Sequence, residues 1–197
     1  MRAAAFVLGL ILAATAQSAP KQNLQTATFA GGCFWCTESD FEKGPGVISA
    51  VSGYTGGKEK NPTYEQVSDH ATSHAESVLV TYDANIVSYT QLLDYFWHHI
   101  DPTVKDRQFC DMGAQYRSAI FYQDATQKKL AEESKAALEK SAVLKEPVQT
   151  EIVAAGQFWP AEDYHQDYHK KNPLRYKWYR TGCGRDARLK ELWGGSK

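Results

Sequence analysis

The sequence predicts a single two-layer α+β domain, a mixed sheet with helices packed on it. Segments rich in β-branched and aromatic residues alternate with segments of helical period, which is the pattern of strands and helices sharing one core. The 197 residues are 43% hydrophobic and 23% charged, enough apolar material for one sizeable core. No internal repeat, low-complexity tract or linker divides the chain.

Thr26 to Ala30 reads as a short strand, and Gly31-Gly32 then allows a tight turn whose backbone can approach a ligand. A helix follows from Phe34 to about Lys43, stopped by Gly44-Pro45-Gly46. Val47 to Tyr54 is the next strand, closed by Thr55-Gly56-Gly57. Lys58 to His74 reads as a long surface loop, of a length that is commonly functional inside compact domains. Ala75 to Tyr82 is the clearest strand. Ser88 to His98 places Leu92, Leu93, Phe96 and Trp97 at helical spacing before Asp101-Pro102 ends it. Ser118 to Tyr122 is a strand, Ala125 to Ala142 the longest helix, and Gln149 to Ala154 a further strand. Beyond Pro160 the chain is aromatic and basic, with little period.

Lys plus Arg number 22 against 23 for Asp plus Glu, so the net charge of -1 offers no electrostatic ground for nucleic acid or an anionic membrane as partner. A small, nearly neutral substrate fits better. At the N-terminus, Arg2 precedes the apolar run Ala3 to Ala14 and the small-x-small stretch Ala14-Thr15-Ala16, which predicts a secretory signal peptide over residues 1–16. Residues 17–25 then form a polar leader to a domain over residues 26–197. The apolar run is short for a membrane span, so no stable insertion is expected after cleavage. Export, to a bacterial periplasm in the first instance, is the expected location.

Four cysteines, at 33, 36, 110 and 183, give an exported chain the option of two structural disulfides. A domain of this size needs no such staples, and two cysteines in a glycine-led aromatic turn point to chemistry. A cysteine at a strand-to-helix junction sits where free N–H groups and the helix dipole favour thiolate over thiol. Cys33 occupies that place, and Cys36, one helical turn on, could approach its sulfur. No second close Cys/His pair has the spacing of a zinc knuckle. His70, His74, His98, His99, His165 and His169 default to structural roles.

At this point the residues resemble a known family. Gly31-Gly32-Cys33-Phe34-Trp35 is similar to the signature of the A-type methionine sulfoxide reductases, the peptide-methionine (S)-S-oxide reductases. Ser52-Gly53-Tyr54-Thr55-Gly56-Gly57, Asn61-Pro62-Thr63-Tyr64, His74-Ala75-Glu76, Gly113-Ala114-Gln115-Tyr116-Arg117-Ser118 and Tyr164-His165-Gln166 resemble further blocks in the family's order. The likeness runs from Thr26 to Pro173. It implies a ferredoxin-like core and reduction of the S epimer of methionine sulfoxide, free or protein-bound.

The resemblance also implies roles. Cys33 is the nucleophile, and Glu76 the acid that protonates the departing oxygen, because an unprotonated oxide is too basic to leave. Tyr64 and Tyr116 hydrogen-bond the sulfoxide oxygen, Asp111 orients the polar end of the substrate, and Phe34 and Trp35 receive its methyl group. Attack leaves Cys33 as a sulfenic acid, which a second thiol resolves to a disulfide. Cys183, between glycines, is the favoured resolving residue, with Cys36 second by proximity and Cys110 third. The sequence departs from the commoner family pattern at Cys36, where glycine often stands. No metal or organic cofactor is implied; the partner is a thioredoxin-like reductant, and a monomer is expected. Two rival readings are an exported thiol–disulfide oxidoreductase using Cys33 and Cys36, and a non-catalytic secreted domain with two disulfides.

Overall fold

A computed structural model describes residues 21–194. The signal-peptide reading of residues 1–16 and the first part of the leader lie outside the described residues. Among the described residues fifteen helices and strands follow one another, with a 3-10 turn besides at Ala114–Tyr116. They are β1 (Leu24–Gly31), α1 (Phe34–Phe41), β2 (Val47–Thr55), α2 (Tyr64–Ser68), β3 (Ala75–Asp83) and α3 (Tyr89–His98). After these come β4 (Arg107–Gln108), β5 (Asp111–Met112), β6 (Ser118–Tyr122), α4 (Ala125–Ser141), β7 (Glu151–Ala154) and β8 (Trp159–Pro160). The chain closes with α5 (Tyr168–Lys171), α6 (Pro173–Gly182) and α7 (Arg185–Trp193).

Six strands form a mixed sheet in the order β7-β6-β1-β3-β2-β8, and β4 and β5 pair as a separate two-stranded ribbon. β1 is antiparallel to both β3 and β6, while β6 and β7 are parallel. The antiparallel pairing sets the end of β1, and so the turn at Gly31-Gly32, beside the start of β3. Helices α1, α3 and α4 cover one face, as the alternation of strand and helix segments predicts. Phe29, on the central strand, stacks on Phe41 and Phe96 at 4.9 Å each and is fully buried with Leu92, Leu93, Val78 and Ile120. Removing a ring from such a position costs about 3–5 kcal/mol.

Local chemistry sets the helix starts. Ser88 caps α3 by accepting from the Gln91 N–H while Gln91 accepts in return, and Asp124 caps α4 through Gln127. The same reciprocal box, Thr63 with Gln66, starts α2 inside what the sequence reads as loop. The stretch beyond Pro160, read as lacking period, contains three helices. Pro173 opens α6 at a position where its missing N–H is no loss. These helices are anchored by charge more than by an apolar stripe. Asp40 of α1, almost fully buried, accepts from Arg180 at 2.7 Å and lies 3.5 Å from Arg185. Arg185, also buried, donates to the Gly31 carbonyl at 3.2 Å and the His99 carbonyl at 2.8 Å.

The strand β8 closes the sheet against β2, where Gly53 faces Pro160. A methyl group at Gly53 would overlap the Trp159 carbonyl and the Phe158 ring. Gly53→Ala is therefore expected to lower the unfolding free energy by about 1–3 kcal/mol in urea denaturation, as overpacking does. An unchanged midpoint would show that β8 is not seated by this contact.

Candidate active site

Cys33 sits at the N-cap of α1, buried, directly after the β1 turn. Gly32 makes the turn with a φ of +82°, and a side chain there would overlap Gln108. Gln108 is itself fixed, donating to the Asp101 carbonyl at 2.7 Å and accepting from the Asp101 N–H at 2.9 Å. The nucleophile loop thus rests on a braced floor, with Arg185 holding the Gly31 carbonyl.

Glu76 comes from the first turn of β3, on the same side as Val78 and Val80, and is buried. Its carboxyl accepts the Phe34 N–H at 2.9 Å. From sequence, the first free N–H of the helix is expected to support a Cys33 thiolate; in the structure that N–H is engaged by Glu76. Burial pushes the Glu76 pKa up to about 8, with the Phe34 N–H opposing and the charge of Asp111 adding to it. Burial likewise pushes the Cys33 thiol up, reinforced by its hydrogen bond with Cys36 and by the charges of Cys36, Glu76 and Asp111. Cys36 is displaced downward by the hydrogen bond with Cys33 and then by Arg185 and Arg180. Cations lie on the Cys36 side and acids on the Cys33 side, so the two thiols are displaced in opposite directions. Burial thus favours the neutral forms of both Glu76 and Cys33 in the resting site.

Tyr64, at the start of α2, and Tyr116, in the 3-10 turn Ala114–Tyr116, both lie close enough to Glu76 and Cys33 to sense their charge. Burial raises the Tyr64 phenol to about 12 and raises that of Tyr116 further, with Glu76 and Cys33 both contributing. Both hydroxyls therefore stay protonated donors across the physiological range. Asp111, on β5, is partly buried, and burial raises its pKa against the opposing effects of Tyr179 and Arg185.

Phe34 and Trp35 form the apolar wall. Trp35 stacks on Tyr168 at 3.7 Å with 3° between planes, meets Tyr179 edge-on at 5.7 Å, and donates its indole N–H to His165 Nδ1 at 2.9 Å. Phe34 packs against His165 at 4.9 Å and Tyr54 at 5.8 Å. His165, expected only to be structural, is a wall of the site, held neutral because burial lowers its pKa. Glu162 ties this wall to the catalytic side: it accepts from the Tyr54 hydroxyl and the Tyr64 N–H, each at 2.9 Å. Tyr168 and Tyr179 are not singled out from sequence, because they lie in the segment without clear period, and His165 is marked there only by the block Tyr164-His165-Gln166.

The sequence-predicted residues Cys33, Phe34, Trp35, Tyr64, Glu76, Asp111 and Tyr116 thus come to one place. The cysteines divide into two pairs: Cys33 and Cys36 are buried free thiols, and Cys110 is disulfide-bonded to Cys183. The reading with two structural disulfides is therefore not what is found. Cys183 caps the end of α6 and is followed at once by α7, so it stands between two helices. Among the described residues, three ligand-type groups gather at Cys110, Asp111 and Cys183 and at Glu38, Glu42 and Asp167, neither set including Cys33 or Glu76. No helix among the described residues is long and apolar enough to cross a membrane.

Comparison with known proteins matches residues 25–197 to the family model described as peptide methionine sulfoxide reductase. The peptide methionine sulfoxide reductase MsrA of Bacillus licheniformis is 52% identical over 173 residues, 88% of this chain and 96% of that protein. Among solved structures, Mxr1 of Saccharomyces cerevisiae in reduced form superposes with a TM-score of 0.72 at 30% identity, covering 81% of this chain and 91% of the other. Methionine sulfoxide reductase A of Corynebacterium diphtheriae follows with a TM-score of 0.68 at 34% identity, over 77% and 76% of the two chains. Mxr1 has also been solved in complex with Trx2, a structure that shares the fold at a TM-score of 0.53 and 23% identity, over 78% and 90%.

Glu76 gives the site a measurable signature. Its folded pKa of about 8 exceeds its ordinary value of 4.5, so the folded state keeps a proton that the unfolded chain has lost between those pH values. This group therefore favours folding fully at low pH and draws stability down as pH rises through that window, by on the order of 3–5 kcal/mol. Glu76→Gln should remove that decline. Urea unfolding at pH 5 and pH 8 is expected to show a smaller stability loss in the variant, and equal losses would place the Glu76 pKa near its ordinary value.

Proposed function

The chain belongs to the peptide methionine sulfoxide reductase family, and from that membership we propose that it reduces the S epimer of methionine sulfoxide, in proteins or free, with Cys33 as nucleophile. The observation that carries this reading is the buried Glu76 carboxyl, held by the Phe34 N–H at the helix start that bears Cys33, with its pKa raised by burial. A sulfoxide bound with its methyl against Phe34 and Trp35 would direct its oxygen to Glu76, Tyr64 and Tyr116 and its polar end to Asp111. Cys33 attacks the sulfoxide sulfur as Glu76 protonates the oxygen, and the proton leaving Cys33 returns to the Glu76 carboxylate. The net step moves oxygen to Cys33, reducing the sulfoxide by two electrons and leaving a sulfenic acid.

The neighbouring Cys36 condenses with that sulfenic acid, releasing water and forming a Cys33–Cys36 disulfide. Its position one helical turn away and its lowered pKa support this order. Cys183, once freed from Cys110, then enters by thiol–disulfide exchange, and a thioredoxin-like dithiol restores the Cys110–Cys183 pair to thiols. The Arg2 to Ala14 segment supports export, and with it repair of methionine oxidised outside the cytosol.

The test is turnover of a peptide carrying racemic methionine sulfoxide with dithiothreitol, followed by chiral analysis of the remainder. Loss of the S epimer alone is expected, abolished in Cys33→Ser and slowed by about a hundredfold or more in Glu76→Gln. Equal loss of both epimers would contradict the stereochemical assignment. Counting thiols after one turnover separates the resolving residues: Cys36→Ser should accumulate a sulfenic acid, whereas a disulfide formed unimpaired in that variant would return the first resolving step to Cys183.

A further inference from the structure

We propose that the Cys110–Cys183 disulfide and Tyr179 form a redox latch that occupies the substrate-orienting carboxylate of Asp111, so that substrate binds more weakly until a dithiol has opened the latch. The inference rests on the role proposed for Asp111 above. Four residues build it. Tyr179 and Cys183 lie one turn apart on α6, joined by the backbone bond from the Cys183 N–H to the Tyr179 carbonyl at 2.9 Å. Cys110 and Asp111 are adjacent in sequence. The helix therefore grips this dipeptide at two points: Cys183 is bonded to Cys110, and the Tyr179 hydroxyl donates to Asp111 Oδ2 at 2.6 Å.

What Tyr179 covers is the site itself. Its ring meets the Trp35 wall edge-on at 5.7 Å, and its hydroxyl is held on Asp111. A hydroxyl donating to a carboxylate is a charge-assisted bond, and a substrate N–H seeking the same oxygen must displace it. With the disulfide closed, that displacement is opposed by the covalent tether one turn away. A dithiol reductant opens the latch by transferring two electrons and two protons to the disulfide, giving two thiols and its own disulfide. The tether is then gone, and Asp111 is free to exchange Tyr179 for substrate.

The arrangement explains why one pair of cysteines is oxidised while the nucleophile pair is free. Exchange of the Cys33–Cys36 disulfide with the reduced Cys110 and Cys183 regenerates the nucleophile and closes the latch in the same event. Oxygen transfer is thereby coupled to the supply of reductant, and Cys33 is oxidised more slowly while no dithiol has opened the latch. Cys110 is exposed, so the latch is open to attack from solvent while Cys33 is not.

Single-turnover methionine formation tests this, measured on protein isolated without reductant and checked to contain two free thiols, against the same protein pre-reduced and freed of reductant. At low substrate, the latched form is expected to react about tenfold more slowly or worse, with the gap narrowing as substrate saturates. Cys110→Ser/Cys183→Ser, and Tyr179→Phe with its disulfide intact, should both react at the faster rate. Equal rates for latched and reduced wild type, or a slower Tyr179→Phe, would overturn the latch. Asp111→Asn in the reduced protein separates the two readings: weaker substrate binding with equal latched and reduced rates sinks the latch alone. No effect of Asp111→Asn on binding removes the role of Asp111 and the latch with it.

Discussion

The hydrogen bond from the Phe34 N–H to the Glu76 carboxyl is the contact on which the site depends. It joins the start of α1 to the start of β3 across the end of the central strand, and it fixes the acid one residue from the nucleophile. Because both partners are buried, the bond operates in a medium where a charge is poorly tolerated and a neutral acid is favoured. The same dryness holds Cys33 as a thiol. A site that must deliver a proton to a poor leaving group is thus armed with its acid in place, and the nucleophile is activated only when chemistry proceeds. The proton held at Glu76 lowers stability at neutral pH relative to a protein without a buried carboxyl, a compromise common where catalysis needs a perturbed group.

The C-terminal third of the chain completes what the sheet begins. Gln166 brackets Ser52, accepting from its N–H at 3.0 Å and donating to its carbonyl at 2.9 Å, while Glu38 accepts the Ser52 hydroxyl at 2.7 Å. These bonds stitch the loop that bears His165 onto β2 and α1. Asp40 performs the matching task for α6 and α7 through Arg180 and Arg185. Removing one partner of such a buried ionic cluster costs about 3–5 kcal/mol because it leaves the other charge uncompensated. Trp35, clasped by Tyr168, Tyr179 and His165, is accordingly rigid before substrate arrives, which lowers the entropy lost on binding.

Much of this was legible in the sequence. The longer strands and helices up to Ala154 follow from period and punctuation, with boundaries within a few residues, whereas the two-residue strands β4 and β5 carry no such signal. The helix α2 was missed although Thr63 and Gln66 carry its capping box, because the surrounding glycine, proline and asparagine residues read as turn. The helices α5 to α7 were missed for a different reason. Their burial rests on single residues such as Tyr168, Tyr176 and Arg185, which a search for apolar period counts as polar or isolated. Within the site, the family-like blocks located Cys33, Glu76, Tyr64, Tyr116, Asp111, Phe34 and Trp35. The partners of these residues were not legible, since Trp35 and His165 stand 130 positions apart and only the fold brings them together. The partner of the first helical N–H was not legible either, since tertiary structure gives the Phe34 N–H to Glu76.

The protonation of Glu76 is the claim most directly open to observation. Infrared difference spectra between the wild-type protein and Glu76→Gln, recorded as pH is raised, isolate the carbonyl stretch of this one carboxylic acid. The band is expected to be present at pH 7 and to be lost as pH passes about 8. A carboxylate signal already complete at pH 6 would show Glu76 ionised at rest, and the site would then lack the acid on which its chemistry is built.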